Sequence, residues 1–414
     1  MINNYYLKLK PEIHYVKGIR KGALYDLIKG RLISLDEKKG KFIELLEKNY
    51  SLSKIIEMGN FAESEVVNLL DFLFREDIII KCDSKTYIDK YTYGFPKFLL
   101  GQPLLKVPTL ATAYIEVCNI CNLECYFCNA PKYYGCLACT KSNTDDNVLK
   151  DNIFEILSYL NDLNCKNIVL FGGNPFLDIE SLKNICLLLM KFNFQKIIVL
   201  TNGFELNNKE VIDLIRYYNL HIFITIFYPF NIYERLSKGK YRFREVLKNI
   251  LKLDETGINY NISLVLTKSV NISDILEQLK EDFERKDINA IPIYCYDFSL
   301  SKDLLNPPSI AEYELMKIYN PCLYGKITIT YDCKYLLCPL IKDYVLGNIK
   351  NKELIDILED LEKYYKITKD KIEPCKYCEF RYACLDCRAY EVLRGSSLYK
   401  TNYCNYNPLL GEWR

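Results

Sequence analysis

Cys121-Asn122-Leu123-Glu124-Cys125-Tyr126-Phe127-Cys128 follows directly on an apolar stretch, Leu110 to Val117. The three thiols of this C-x3-C-x2-C run suit one corner of a cubane iron–sulfur cluster, because each can reach a different iron and leave a fourth open. Structural zinc is a poorer reading, since zinc sites pair two C-x2-C knuckles or recruit histidine. The chain has only two histidines, His14 and His221, in unrelated places. A disulfide scaffold is also poor for a chain of 414 residues that shows no secretory signal.

The spacing, with Phe127 before the last cysteine, resembles the signature of radical S-adenosylmethionine (SAM) enzymes. The resemblance implies that Cys121, Cys125 and Cys128 hold a [4Fe-4S] cluster whose open iron chelates SAM, with Phe127 beside it. The cofactor then supplies a 5′-deoxyadenosyl radical that abstracts hydrogen from a substrate.

Composition agrees with a cytoplasmic enzyme of two or three domains. Half the residues are hydrophobic, and no apolar run is long enough to span a membrane. The net charge of +2, with acids and bases interspersed, gives no reason to expect nucleic acid or membrane as partner. Eighteen cysteines in a reducing compartment call for metal.

Around the cysteine run the chain reads as α/β. Short Ile/Val/Leu-rich strands are expected near 111–117, 167–171, 196–200, 221–226, 261–266 and 290–294. Helices are expected near 146–162, 178–192, 208–218, 243–255 and 272–285. Six βα units over 111–295 match the partial (β/α)6 TIM barrel of the radical SAM core, with chemistry at the C-terminal strand ends.

The motifs fall at those ends. Phe171-Gly172-Gly173-Asn174-Pro175 stands where the family carries Gly-Gly-Glu-Pro, which contacts the methionine part of SAM. Asn174 replaces the acid; its amide oxygen can accept from the SAM ammonium without charge assistance. The resemblance places further SAM contacts at Thr201, Asn202, Thr225, Ser263 and Asn271, and offers Arg235 for the SAM carboxylate. Cys118 reads as a small buried residue. Cys136-Leu137-Ala138-Cys139 is either a redox pair or a metal knuckle.

Residues 1–82 read as a separate unit of three short strands followed by three helices, a winged-helix arrangement. Its first helix is expected to start at a capping box, Ser34 to Glu37, and its third to bury Val66, Leu69, Leu70 and Leu73. The segment from Tyr15 to Leu27 resembles the recognition element of ribosomal-peptide (RiPP) modifying enzymes, itself similar to the peptide chaperone of pyrroloquinoline quinone synthesis. That implies a precursor-peptide partner whose leader adds a strand to an exposed sheet edge. Residues 83–110, rich in Gly and Pro, read as a linker.

After residue 295 come a bridging region and a second cysteine set, Cys322, Cys333, Cys338, Cys375, Cys378, Cys384, Cys387 and Cys404. The order resembles the SPASM extension of radical SAM proteins, which holds up to two auxiliary [4Fe-4S] clusters, for three clusters in all. The resemblance gives Cys322, Cys338 and Cys387 to the first auxiliary cluster and Cys375, Cys378, Cys384 and Cys404 to the second. Cys333 is the nearest candidate to complete the first; an iron open to substrate is the alternative.

Together these parts resemble a peptide maturase that forms a C–S thioether or C–C cross-link, fed by a reductant such as flavodoxin or ferredoxin. Epimerisation, with Cys139 or Cys295 as hydrogen donor, stays open. So does maturation of a folded protein, as in the anaerobic sulfatase-maturing enzymes.

Overall fold

The computed structural model describes residues 5–91, 110–142, 144, 146–283, 290–351 and 353–414. The N-terminal part begins with β1 (Tyr6–Leu9), β2 (Ile13–Lys17), β3 (Gly22–Asp26) and β4 (Arg31–Leu35). Helices α1 (Glu37–Glu47), α2 (Leu52–Gly59) and α3 (Glu63–Arg75) follow, then β5 (Ile79–Cys82). Strands β2, β3 and β4 form an antiparallel sheet in chain order, while β5 returns to pair with β1. The sequence reading of three strands before three helices took the alternation from Leu7 to Tyr15 as one run, where the structure has β1 and β2, and missed β5 behind the helices. It also misplaced the first cap. Ser34 lies in β4, and the side chain of Asp36 accepts from the Lys39 amide to start α1. The expected stripe on α3 is buried as Val66, Leu69, Leu70 and Leu73.

Within the expected linker, residues 92–109 lie outside the described residues. Its first part packs back on the N-terminal sheet, where Lys90 Nζ donates to the Ile13 carbonyl at 2.7 Å.

The central sheet carries six parallel strands: β6 (Thr112–Glu116), β7 (Asn167–Phe171), β8 (Lys196–Thr201), β9 (His221–Tyr228), β10 (Tyr260–Leu266) and β11 (Ala290–Tyr294). Between them run α4 (Leu149–Asp162), α5 (Ile179–Leu189), α6 (Lys209–Tyr217), α7 (Phe243–Glu255) and α8 (Ile272–Asp282). Strand neighbours follow chain order and β6 does not pair with β11, so the barrel is open. Alternation along the strands divides them into two faces. Ala113, Ile115, Ile168, Leu170, Val199 and Ile222 meet the helices, whereas Tyr114, Val169, Phe171 and Leu200 form a separate inner cluster.

Three strands of this sheet were not anticipated. β12 (Lys326–Ile329) adds to the free edge of β6 in parallel, and β13 (Lys334–Leu336) and β14 (Val345–Asn348) extend the sheet antiparallel. This couples the C-terminal part rigidly to the barrel. Two further helices, α9 (Ile310–Ile318) and α10 (Leu354–Tyr365), precede the last cysteines. An apolar cluster joins β2 and β3 to this part through Val16, Tyr25, Tyr313, Phe380 and Tyr406. Among the described residues, no helix is long and apolar enough to cross a membrane.

Candidate functional site

The loop after β6 brings Cys121, Cys125 and Cys128 to the wall of one cavity of about 600 Å³, which Phe127, Gly173, Phe227, Val265 and Cys139 also line. That volume lies in the range of cofactor and small-molecule sites. Backbone geometry fixes the loop. Gly172 and Gly173 have φ of +107° and +51°, and a Cβ on either would lie 2.1 Å from the Cys118 carbonyl oxygen or 1.9 Å from that of Ile120. The glycines are thus required by the approach of the cluster loop itself. The Asn174 amide then donates to the Ile120 carbonyl at 2.8 Å.

Lys132 ties the loop from below. It is buried, and its ammonium donates to the carbonyls of Phe127 (2.7 Å), Cys128 (2.5 Å) and Ala130 (3.3 Å). The Cys121 sulfur receives the Leu123 amide at 3.5 Å and Asn202 Nδ2 at 3.7 Å, donors of the kind that support a cluster thiolate. Burial raises the thiol pKa of Cys121 and Cys125, and pushes Cys139 up to about 12. Ligation must therefore displace protons.

The remaining expected SAM contacts divide. Phe127 is buried against Phe227 at 5.4 Å between ring centroids, and Pro175 begins a buried 3-10 turn. The Thr201 hydroxyl accepts from the Gly203 amide and donates to Asn174 Oδ1 at 2.8 Å. Asn174 Nδ2 is then a buried donor with no partner among the described residues. In this orientation the unpartnered atom of Asn174 is a donor, which suits an acceptor such as a carboxylate, where the sequence reading offered the amide oxygen to an ammonium. Thr225 and Ser263 are also spent differently. Thr225 Oγ1 accepts from the Cys139 amide at 3.1 Å, and Ser263 donates to the Leu137 carbonyl at 2.5 Å. Both hold residues 137–139 in the barrel mouth. Asn271 is exposed and caps α8 by accepting from the Ser273 amide, so it faces solvent and not the cavity. The Arg235 guanidinium lies over the exposed Tyr126 ring, 4.3 Å from its centroid.

The C-terminal cysteines gather in two places. Cys322, Cys338 and Cys387 line a cavity of about 280 Å³ at the inner face of β6, together with Lys326 and Cys136. Cys378, Cys384 and Cys404 line a much smaller one, and Cys375 is an electrostatic neighbour of all three. Lys369 Nζ stands 3.9 Å from Cys384 Sγ and pairs with buried Asp386 at 2.5 Å; Arg388 pairs with the same carboxylate. These buried cations suit an anionic cluster.

Cys333 does not join either group. It is fully buried at φ +58° in the turn between β12 and β13, beside Asp332 and Lys350. The turn's own hydrogen bonds, Cys333 amide to Thr330 carbonyl and Ile349 amide to Cys333 carbonyl, hold it there. Sequence order alone suggested it as a ligand; the hairpin carries it away from the cavity. Among the described residues, no three Cys, His, Asp or Glu side chains converge closely enough for a single metal ion.

Residues 115–281 match the Radical SAM superfamily, and residues 322–379 match the iron–sulfur cluster-binding domain named SPASM. The chain therefore carries a radical SAM domain followed by an SPASM domain. Among curated proteins it is similar to the sporulation killing factor maturation protein SkfB of Bacillus subtilis, 23% identical over 241 residues. That match covers 56% of this chain and spans about half, 54%, of the relative. Among solved structures, Streptococcus suis SuiB bound to its precursor peptide SuiA aligns with a TM-score of 0.52 at 15% identity, over 95% of this chain and 98% of that one. The structure of anSMEcpe with bound AdoMet aligns with a TM-score of 0.52 at 18% identity, over 71% and 93%.

Proposed function

We propose that the chain is a cytoplasmic radical SAM maturase of a ribosomally made precursor peptide, which it cross-links through a C–S or C–C bond. The observation that carries this is the cavity walled by Cys121, Cys125 and Cys128 at the C-terminal strand ends, followed by a second cysteine-lined region. When bound there, SAM and a reduced four-iron cluster supply a 5′-deoxyadenosyl radical for hydrogen abstraction. The chain's own residues bind and orient. Lys132 and the Gly172–Gly173 turn hold the thiols in place, Asn174 Nδ2 offers a donor, and Phe127, Phe227 and Val265 present an apolar wall that excludes water. Cys322, Cys338 and Cys387, and Cys375, Cys378, Cys384 and Cys404, would hold two auxiliary clusters. These would accept the electron that a net two-electron cross-link must release, with a flavodoxin or ferredoxin as external donor.

The N-terminal part supports a peptide substrate. Among the described residues β4 is the outer strand of its sheet and pairs with β3 alone. Beside it runs a groove of about 540 Å³ with Leu35, Phe42, Phe61, Val66, Leu69 and Phe72 in its lining. An extended leader can add to β4 through its backbone and seat alternate apolar side chains in the groove. The opposite edge is less free, since Arg381 donates to the Lys17 carbonyl of β2 at 2.9 Å. The fold likeness to SuiB extends over this part, whereas that to anSMEcpe covers less of the chain, which supports a peptide over a folded-protein substrate.

One observation favours epimerisation as a second reading: the Cys139 thiol lines the same cavity as the triad. Reaction of the full chain with SAM, reductant and its precursor in D2O separates the two. Cross-linking removes two hydrogens per turnover; epimerisation leaves that count unchanged and introduces solvent deuterium. Leu69→Asp in the groove should weaken leader binding tenfold or more, by about 1.5–3 kcal/mol for one lost apolar anchor. Unchanged leader binding would move the leader site elsewhere.

A further inference from the structure

We infer that Cys136, from the loop of the radical SAM core, is the fourth protein ligand of the first auxiliary cluster. The inference rests on the cluster-bearing reading above and concerns only which residues complete it. The cavity that gathers Cys322, Cys338 and Cys387 has a fourth cysteine in its wall, and it is Cys136. Four thiols around one cavity are the full ligand set of a cubane.

The placement of Cys136 is built. It stands in the middle of a 3-10 turn, Gly135–Leu137. Gly135 is buried, and a Cβ there would lie 2.6 Å from Lys132 Cβ and 2.7 Å from Leu340 Cδ1. The turn therefore packs directly on the segment that follows Cys338. On its other side the Leu137 carbonyl receives the Ser263 hydroxyl and the Cys139 amide reaches Thr225. Between these anchors the two cysteines of the C-x2-C pair line different cavities, Cys136 that of the C-terminal cysteines and Cys139 that of the triad. A redox disulfide between them would require this pinned turn to come apart.

Charge supports the set. Lys326 lines the same cavity, donates to the Cys322 carbonyl at 3.1 Å and has no carboxylate partner among the described residues. An ammonium in that position is matched by an anionic cluster held by those four sulfurs. Full ligation leaves no iron open to the peptide, which makes this cluster an electron carrier and not a substrate-binding centre.

The test uses the full chain carrying Cys121→Ala, Cys125→Ala and Cys128→Ala, so that only auxiliary clusters are read after anaerobic reconstitution. This parent should hold about eight irons in two cubanes. Adding Cys136→Ala should lower the content to about seven, with the EPR signal of a three-iron cluster, or to about four. Persistence of the second cluster shows that the chain is folded. Cys136→Ser, which keeps an oxygen ligand, should restore iron while shifting the spectrum. Adding Cys333→Ala should change neither iron nor spectrum. Unaltered iron and spectra in Cys136→Ala, or iron lost through Cys333→Ala instead, would overturn the assignment alone. Stoichiometric zinc with little iron in the parent would overturn the cluster reading beneath it.

Discussion

Replacing Gly173 with alanine should disable the triad cluster while sparing the C-terminal ones. At φ +51° the residue is left-handed, which costs an L-residue about 1–2 kcal/mol. The larger effect is steric. The new Cβ would lie 1.9 Å from the Ile120 carbonyl oxygen, where a carbon–oxygen contact of about 3.3 Å is normal, so that carbonyl must retreat by about 1.4 Å. Cys121 is the next residue and moves with it. Misplacement on the order of 1 Å at a reacting centre lowers rate about a hundredfold. Reconstituted protein should therefore lose about four of about twelve irons, and SAM cleavage should fall by about a hundredfold or more. Gly203→Ala is the comparison. It also has positive φ, +85°, but its Cβ would meet Ile224 Cγ2 at 2.9 Å and Val246 Cγ1 at 3.1 Å, side-chain methyls and not the backbone of the cluster loop. It should keep its iron. Full iron and unchanged SAM cleavage in Gly173→Ala would refute the view that this glycine exists to admit the cluster loop.

Lys132→Met keeps the apolar stem but removes one donor from each of three carbonyls, and should destabilise the chain by about 1–3 kcal/mol in denaturant titration, with preferential loss of triad iron. Iron retained at unchanged stability would mean the ammonium does not hold the loop. Asn174→Asp, nearly isosteric, removes the free donor and should weaken SAM binding by about 1–3 kcal/mol in calorimetry; tighter binding would restore the ammonium contact expected from sequence. His14 lies in β2, its ring 4.7 Å from that of Tyr313 on α9. Burial, then Lys90 and Lys317, lowers its pKa to about 4. The folded chain keeps it neutral, so acidification protonates the unfolded chain first. Stability is full above pH 6.5 and falls between there and pH 4, by about 2 kcal/mol at pH 5. The pH 7 to pH 5 loss in urea midpoint should shrink in His14→Gln; an equal loss would place the acid sensitivity elsewhere.

What could be read from the sequence was what a short window determines. Continuous apolar runs such as Asn167–Phe171 and Ala290–Tyr294 mark buried parallel strands, and the helices between them carry period-3.6 stripes, so the barrel strands and helices lie where expected. β12 escaped because a four-residue strand with nothing to show its partner gives no clue that it docks on β6. Ser34 was taken for a cap because Ser and Asp are equally good caps, and only the hairpin pairing of Ser34 with Ala23 decides between them. Thr225 and Ser263 fall within β9 and β10, short of their C-terminal ends, and sequence could not show that a loop more than eighty residues upstream occupies their hydroxyls. For the proposed ligand Cys136 the sequence offered only a C-x2-C pair, read as a redox pair or a metal knuckle, beside seven assigned C-terminal ligands and Cys333 as candidate for the eighth position.

That loop is where the parts of the molecule meet. Residues 129–142 leave the triad at Cys128, and Thr140 returns to bond the Cys128 carbonyl at 3.2 Å. In between, the Tyr133 amide pairs with the Tyr294 carbonyl at the end of β11, and both Tyr133 and Tyr134 hydroxyls donate to the Leu385 carbonyl beside the last cysteines. The Cys387 thiol reaches the Lys132 carbonyl at 3.8 Å. Lys132 thus bonds the triad loop through its ammonium and the C-terminal cavity through its backbone. Because neighbours that share partners respond together, a change at Lys132 itself should be felt at both cavities. The barrel strands supply the frame; the loop sets the two cavities at a fixed separation.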